Sequence, residues 1–599
     1  MHTTFPAYPD IVRALENGSP DRLFPGAADP ARFARHAAAL DVVEKAAREA
    51  LGTPLPDLPW SKFRLFRDTG DRATFEKPFF ARRVRLANLL AAILGGRDTD
   101  GALLAALEDA MWETCNEFTW SIPAHLWRAG PRERRMRDER HMLDLFSTET
   151  GFYLAEALHF LGDRVDARVA ARVRAEIRDR ILDSYLGPYE TPWWAGGNNN
   201  WGAVCAGSIG AAFLYEERDP ARLRAALVPV LGTMESFIDS IPEDGACEEG
   251  AGYRNYGFGY FALFADLLRD YTDGALDLFQ APGVRRIANF PQAVRLSGNR
   301  VASFSDGGRF WHHGGWLQAL LRSRFPEIPE SSGSIAPAPR FTRPGHLLRD
   351  FVFCDPATAA APPPDAVSYL PDAQWLVVRR APFAFAAQFG NNGVSHNHND
   401  VGSFLLVDGD REGPMDLGRG IYTRQYFGPG RYSDDVLCCG SQGHSLPLVG
   451  GARQQPGREF RAAGVRLERA PGDSELVFSG DIAPAYGLPA LRSLRRTFRV
   501  RPAEGAVSVE DVFDHEGGLP PSVERFIGYE KPVLEGPGRA RFGAFAVRFD
   551  PSFAAEVRSM PFRAPGTAGG LGGAETPVHA LDVSVPAGTV SFRIEFFRP

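Results

Sequence analysis

The sequence predicts a multi-domain α+β protein, an N-terminal array of helical hairpins followed by an antiparallel β-sandwich. Three observations carry this. The chain has 599 residues, and single hydrophobic cores stop growing near ~250–300 residues. Apolar residues recur about every four positions in the first half and about every two in the second. Between the halves lies "SIAPAPRFTRPGHLLRDFVFCDPATAAAPPPDA", whose proline and alanine content marks a linker. The predicted division is a helical domain at 1–340, a linker at 341–366 and a β domain at 367–599.

Taken in order, "RVRLANLLAAILGG" and "DLFSTETGFYLAEALHFLG" read as apolar helices closed by glycine. In "RVDARVAARVRAEIRDRILDSYLGPY", Val165, Val169, Val173, Ile177, Ile181 and Tyr185 form one stripe, stopped at Gly187–Pro188. Asp219 caps the next helix and Pro220 occupies its first position. Leu223, Leu227, Leu231, Met234 and Ile238 give its buried face, and Pro229 is expected to kink it. In the second half, "PFAFAAQFG" and "SFRIEFFRP" alternate as strands do. "TFRVRPAEGAVSVEDVFD" predicts a hairpin turning near Glu504–Gly505.

Composition narrows the function. The formal net charge is −7, so there is no basic excess to neutralise nucleic-acid phosphates. Six cysteines show neither a disulfide framework nor a CxxC zinc pattern. No run of ~18 apolar residues predicts a membrane span. The first residues do not read as a signal peptide. The expected compartment is the cytoplasm, or the periplasm if a leader has been removed. A homodimer is left open.

Several stretches are dense in chemistry. "WWAGGNNNWGAVCAG" sets Asn199 and Asn200 between Trp194 and Trp201. Asparagine amides can donate to a carboxylate and tryptophan faces can stack on a sugar ring, while a turn with a helix cap explains the same residues. "EDGACEEGAGYRNYGFGYF" contains Glu249, Tyr253, Arg254, Tyr256 and Tyr260. The tyrosines share a face if helical, as a core stripe also would, but Gly250, Gly252, Gly257 and Gly259 are costly in a helix unless something approaches closely. "NEFTWSIPAH" adds Glu117 and His125, and "RERRMRDER" at 132–140 reads as a solvated face. "SHNHNDVGSF", with His396 and His398, precedes Asp416 and His444. Histidine and carboxylate are zinc ligands, though spacing alone does not assemble them.

Together, "ETGFYLAEAL", "NNWGAVCAG", "EEGAGYRNYG", "HNHNDVGSFLL", "DLGRGIY" and "GHSLPLVGG" resemble the heparinase II/III-like polysaccharide lyases, in the family's order. The resemblance implies an incomplete α/α toroid joined to a β-sandwich. It implies β-elimination on a uronate-containing glycan such as a glycosaminoglycan or alginate. Asn200, with Asn199 next, would neutralise the uronate carboxylate. Tyr256, with Tyr253 second, and His396 would move protons, with Arg254 or His125 assisting. Glu117, His125, Trp194, Trp201 and Glu249 would line the substrate. His398, Asp416 and His444 would hold one structural zinc, whose fourth ligand is not identified. Some relatives carry histidine after the key asparagine, where this chain has Trp201.

Two other functions fit the same sequence. An α/α-barrel glycoside hydrolase would pair Glu117 or Asp244 with Glu248 or Glu249. A non-catalytic glycan-binding protein would keep the fold alone.

Overall fold

The computed structural model describes residues 5, 8–126, 137–197, 199–311, 315–329, 333, 335, 343–359, 362–428, 430–564 and 575–599. The chain divides into two compact units. One comprises 1–241, 254–288 and 313–361, the other 242–253, 289–312 and 362–599.

Among the described residues, the helices of ten residues or more are α1 (Ala37–Leu51), α2 (Ala73–Leu94), α3 (Ala102–Cys115), α4 (Leu145–Leu161), α5 (Ala167–Ile177), α6 (Asn200–Glu216), α7 (Pro220–Ser240), α8 (Ala251–Tyr271), α9 (Pro282–Ala293) and α10 (Pro344–Phe353). Successive helices pack on one another, α1 on α2, α2 on α3, and α6 on both α4 and α7. Helix α6 is buried on every side, as its apolar and small residues require. A Cβ added at Gly207 would stand 2.9 Å from the Tyr260 carbonyl of α8. The small residue is what lets these helices approach. Asp219 caps α7 as expected, and α7 continues through Pro229 to Ser240. The four-residue stripe from Val165 explains a local irregularity. Helix α5 gives way to a π-helical turn at Arg178–Asp183. That wider turn keeps Ile181 buried beneath Val173 and Ile177, which a strict 3.6 period would rotate off the core.

The expected linker is not all linker. Its "PGHLLRDFVF" forms α10 with Pro344 in the first turn, and Leu347, Leu348, Phe351 and Val352 are buried in the helical core. The proline-rich composition concealed an amphipathic repeat. Residues 336–340 and 341–342 lie outside the described residues, as do 132–136 of the arginine-rich stretch.

In the other unit, a five-stranded antiparallel sheet runs Ala366–Leu370, Trp375–Arg380, Phe383–Gln388, Phe404–Asp408, Arg411–Glu412. An eight-stranded sheet contains the predicted hairpin, Leu491–Arg501 paired with Ala506–His515, flanked by Ser591–Phe597. A four-stranded sheet and two two-stranded pairs complete the set among the described residues. Their inner faces meet over a phenylalanine core, Phe385 and Phe404 touching Phe498, and Phe404 touching Phe526 and Phe596. This is the sandwich expected. The outer face of the five-stranded sheet is covered by Phe290, Val294, Leu296, Val301 and Phe304, packed with Trp375, Val377 and Leu405. That burial is why 289–312 belongs with the strands rather than with the helices around it. Among the described residues, no helix is long and apolar enough to cross a membrane.

Helix α10 carries Asp350, which accepts the Trp316 N–H at 2.7 Å. Burial raises its carboxyl to about 7 despite that hydrogen bond. A raised folded-state value adds stability that is complete below the unfolded value near 3.8 and disappears as pH rises through about 7. We expect Asp350→Asn to melt at a temperature that changes less between pH 4.5 and 8 than the unsubstituted protein does, a differential of at most about 4 kcal/mol. Parallel melting curves across that range would contradict the assignment.

Candidate functional site

Chemistry-bearing side chains gather at one place in each unit. In the helical unit the centre is Glu149 of α4, which is buried. Tyr256 of α8 donates its hydroxyl to Glu149 Oε1 at 2.7 Å, and Tyr153 donates to Oε2 at 3.2 Å. Tyr260, one helical turn beyond Tyr256, lies 3.2 Å from the Tyr153 hydroxyl. Arg343, just before α10, reaches both Glu149 oxygens at 3.3 Å, and its guanidinium stands 3.9 Å from the Tyr256 ring centre. Burial pushes the Glu149 carboxyl up, and Arg343 opposes this only in part. Burial also raises the Tyr256 hydroxyl well above its usual range, against the pull of Arg343.

Asn200 opens α6 beside this group. A Cβ on Gly257 would stand 3.0 Å from the Asn200 Cβ, so the glycine after Tyr256 admits the asparagine, a protein contact and not a ligand. Among the described residues, the Asn200 carboxamide has no hydrogen-bond partner. Asn199 is the cap of α6, its side-chain oxygen accepting the Trp201 N–H at 2.9 Å. His125 bonds through Nδ1 to Asp144 at 2.6 Å and stacks on Phe146, with Trp201 4.7 Å and then Trp193 5.0 Å further along.

Three expected residues are placed elsewhere by their own bonds. Trp194 is 1% exposed and its indole N–H donates to the Leu143 carbonyl; the exposed ring is its neighbour Trp193, at 49%. Glu117 is clamped between buried Arg82 and Arg83, which leaves no oxygen for a substrate. Arg254, in the first turn of α8, is buried and donates to the carbonyls of Ile287 and Ala288 in α9. The Tyr253 side chain lies outside the described residues.

In the β-rich unit the centre is Asp306, which the sequence reading missed. His396 Nδ1 lies 2.6 Å from Oδ2, and Tyr422 donates to the same oxygen at 2.8 Å. His398 Nε2 lies 3.0 Å from Oδ1, to which Tyr426 also donates. Although burial alone would raise it, His396 and His398 hold the Asp306 carboxyl well below the usual carboxylate range. Residues 393–400 form turns and bends, not strand; the strand begins at Phe404. His396 has φ +55°, a left-handed conformation that a non-glycine residue rarely adopts. This resolves how histidines two apart differ in setting: His396 remains partly exposed beside Tyr422 and Phe427, while His398 is fully buried. Glu249 stands near His396; burial raises its carboxyl, and its Oε2 is buried without a hydrogen-bond partner.

Ligating atoms of His398, Asp400 and His444 lie within 4.8 Å of one another. His398 Nδ1 is buried without a hydrogen-bond partner, the sign of a donor waiting for something else. His444 Nδ1 is 3.0 Å from Asp416 and 3.9 Å from Asp400. Of the expected metal residues His398 and His444 meet, with Asp400, which the sequence did not single out, as the third member, while Asp416 reaches the group through His444.

No family model matches the sequence, and no curated protein matches it. Solved structures do. Heparinase III matches at 14% identity with a TM-score of 0.58, over 88% of this chain and 77% of its own. This chain has the heparinase III fold. Heparan sulfate lyase HepC from Pedobacter heparinus matches at 13% identity and TM-score 0.55, over 93% of this chain and 82% of its own. Chondroitin AC lyase of Streptomyces coelicolor A3, solved with chondroitin sulphate, matches at 13% and 0.56, over 94% and 79%. An α/α toroid followed by a β-sandwich is thus the architecture these proteins share with this chain.

Asp306→Ala should strip the acceptor from four side chains at once. We expect a loss of roughly 3–5 kcal/mol, as for a buried pair broken from one side, read as a lowered melting temperature, with Asp306→Asn in between. An unchanged melting temperature in both variants would remove Asp306 from the centre of this loop.

Proposed function

We propose that the protein is a lyase that cleaves a uronate-containing poly- or oligosaccharide by β-elimination. The observation that carries this is the Tyr256–Glu149–Arg343 cluster with the unpartnered amide of Asn200 packed beside it. The heparinase III fold supports the same reading.

Elimination must remove a proton at C5, next to a charged carboxylate, where it is weakly acidic. The Asn200 amide donates to that carboxylate and to the enolate-like oxygens that form, a stabilisation strongest in the transition state. Tyr256 is the base. As its oxygen takes the C5 proton, its own hydroxyl proton passes to Glu149, whose burial suits it to hold one. The electron pair left on C5 forms the C4–C5 double bond as the C4–O4 bond breaks. Tyr256 then gives its proton to the departing O4 and recovers one from Glu149, which returns the site to its starting state. Arg343 over the ring favours negative charge on the tyrosine as the proton leaves. The exposed ring of Trp193, backed by Trp201, is suited to stacking on a sugar. His396, positioned by Asp306, is the β-rich unit's acid–base candidate.

His398, Asp400, Asp416 and His444 fit a zinc ion in donor type and number, two imidazoles and two carboxylates. A zinc bound there would be structural and tie the loops that carry these residues. Purified protein should contain about one zinc per chain, and His398→Ala should lose it and melt at a lower temperature, because metal held only by the folded state adds to stability. Full zinc occupancy in that variant would overturn the ligand set.

The activity test is the rise in ultraviolet absorbance that an unsaturated uronate product brings, followed on heparan, chondroitin, hyaluronan, alginate and glucuronan oligomers. Tyr256→Phe should lower kcat by roughly 10²–10⁴-fold and Asn200→Ala by roughly 10²–10³-fold. Reducing ends released without new absorbance would instead identify a hydrolase, and full activity in Tyr256→Phe would remove the proposed base.

A further inference from the structure

The β-rich unit holds two adjacent cysteines. Cys438 and Cys439 are both buried, at the end of the short helical segment Asp434–Cys439. Their backbone is pinned from two sides. The Cys438 carbonyl lies 2.7 Å from His444 Nε2, and the Cys439 carbonyl accepts the Asn399 N–H at 2.8 Å. The thiols are thereby brought to His398: the two sulfurs and an imidazole nitrogen lie within 4.8 Å of one another. The His398 Nδ1 has no hydrogen-bond partner although the residue is fully buried. The Cys438 sulfur is also 3.9 Å from the Tyr426 hydroxyl, which braces Asp306.

We propose that Cys438, Cys439 and His398 form a second metal site, of soft donors, that takes a thiophilic ion. The donors differ in kind from the carboxylate and imidazole set formed with Asp400 and His444. Thiolates select soft and borderline closed-shell ions, whereas carboxylates do not. In a tetrahedral zinc site, bonds of ~2.3 Å to sulfur and ~2.0 Å to nitrogen place neighbouring ligand atoms roughly 3.6 Å apart. The three atoms therefore need to close by only about 1 Å, which side-chain rotation about two cysteine χ1 angles supplies. Each thiol gives its proton to solvent as its sulfur bonds the ion, so binding one divalent ion through both cysteines releases two protons.

His398 belongs to both sets, and this has a consequence. A neutral imidazole has one lone pair. With Nε2–H committed to Asp306, His398 serves one ion at a time. A thiophilic ion on the cysteines takes His398 away from Asp400 and His444, a competition that rests on the metal reading given above. The soft site itself does not depend on that reading.

The probe is cadmium added to the full-length protein after chelation and dialysis. About one equivalent should bind with a thiolate-to-cadmium charge-transfer band in the ultraviolet. The band should disappear in Cys438→Ser/Cys439→Ser and persist in Asp400→Ala, which removes a carboxylate of the other set and leaves the His444 bond to the Cys438 carbonyl in place. X-ray absorption at the cadmium edge of the unsubstituted protein should count two sulfur ligands, and this decides the matter even if the double serine variant does not fold. A band that survives the double substitution, or an edge spectrum with only oxygen and nitrogen neighbours, overturns the proposal. Loss of zinc in Asp400→Ala with the cadmium band intact would separate the two sites.

Discussion

Asp306 carries its charge where no solvent reaches it, and His396, His398, Tyr422 and Tyr426 all converge on its two oxygens. Burial by itself would protonate such a group; the hydrogen bonds and charge of the two histidines, His396 and His398, outweigh it and favour the carboxylate. The consequences run outward. An ionised Asp306 accepts from Nδ1–H of His396 and from Nε2–H of His398, and so orients both rings. The first bond leaves His396 Nε2 on the side of the ring away from Asp306. The second commits His398 Nε2 to Asp306, so Nδ1 is the ring nitrogen that a metal would take in place of a proton. The left-handed backbone at His396 is the local expense of bringing two rings, two residues apart, onto opposite oxygens of one carboxylate.

Glu149 shows the same forces balanced the other way. It too is buried and meets a cation, yet Arg343 reaches its oxygens only at 3.3 Å, and desolvation wins, so its carboxyl is raised. A carboxyl raised by burial, 2.7 Å from a tyrosine hydroxyl, makes a different device from one held well below the usual range. Asp306 positions side chains, while Glu149 can exchange a proton with Tyr256. The distinction comes from donor number and distance, since both groups are carboxylates and both are buried.

Much of the architecture was legible in the sequence because periodicity reports which face is buried. The change from a four-residue to a two-residue repeat located the sandwich, and Glu504–Gly505 marked its hairpin. The asparagine cap at 199 and the Asp219 cap were equally readable, being local bonds between near neighbours. The missed residues have the opposite character. Asp306 lies in "SFSDGG", Arg343 in a stretch that reads as linker, and Glu149 inside an apolar helix. Each acquires its role from partners 90 to 194 positions away, which no spacing rule contains. Trp193 and Trp194 were separable only in three dimensions, since adjacent residues in a helical turn point in different directions.

The same bonds bear on the paired-carboxylate alternative. Glu117 is occupied by two arginines. Asp244 accepts backbone N–H groups from Ala246, Asp372 and Ala373, the work of a residue that ties a turn. Neither has an oxygen left to activate water or protonate a glycosidic oxygen. What remains is Glu248 and Glu249, both pushed by burial towards the protonated form, Glu248 to about 7. A glycosidase needs one carboxyl protonated and its partner ionised, across the bond it cleaves. Two neighbouring acids raised by the same burial do not divide those roles, whereas a tyrosine, a proton-holding carboxylate and an unpartnered amide do supply the base, the reservoir and the anion stabiliser that an elimination requires.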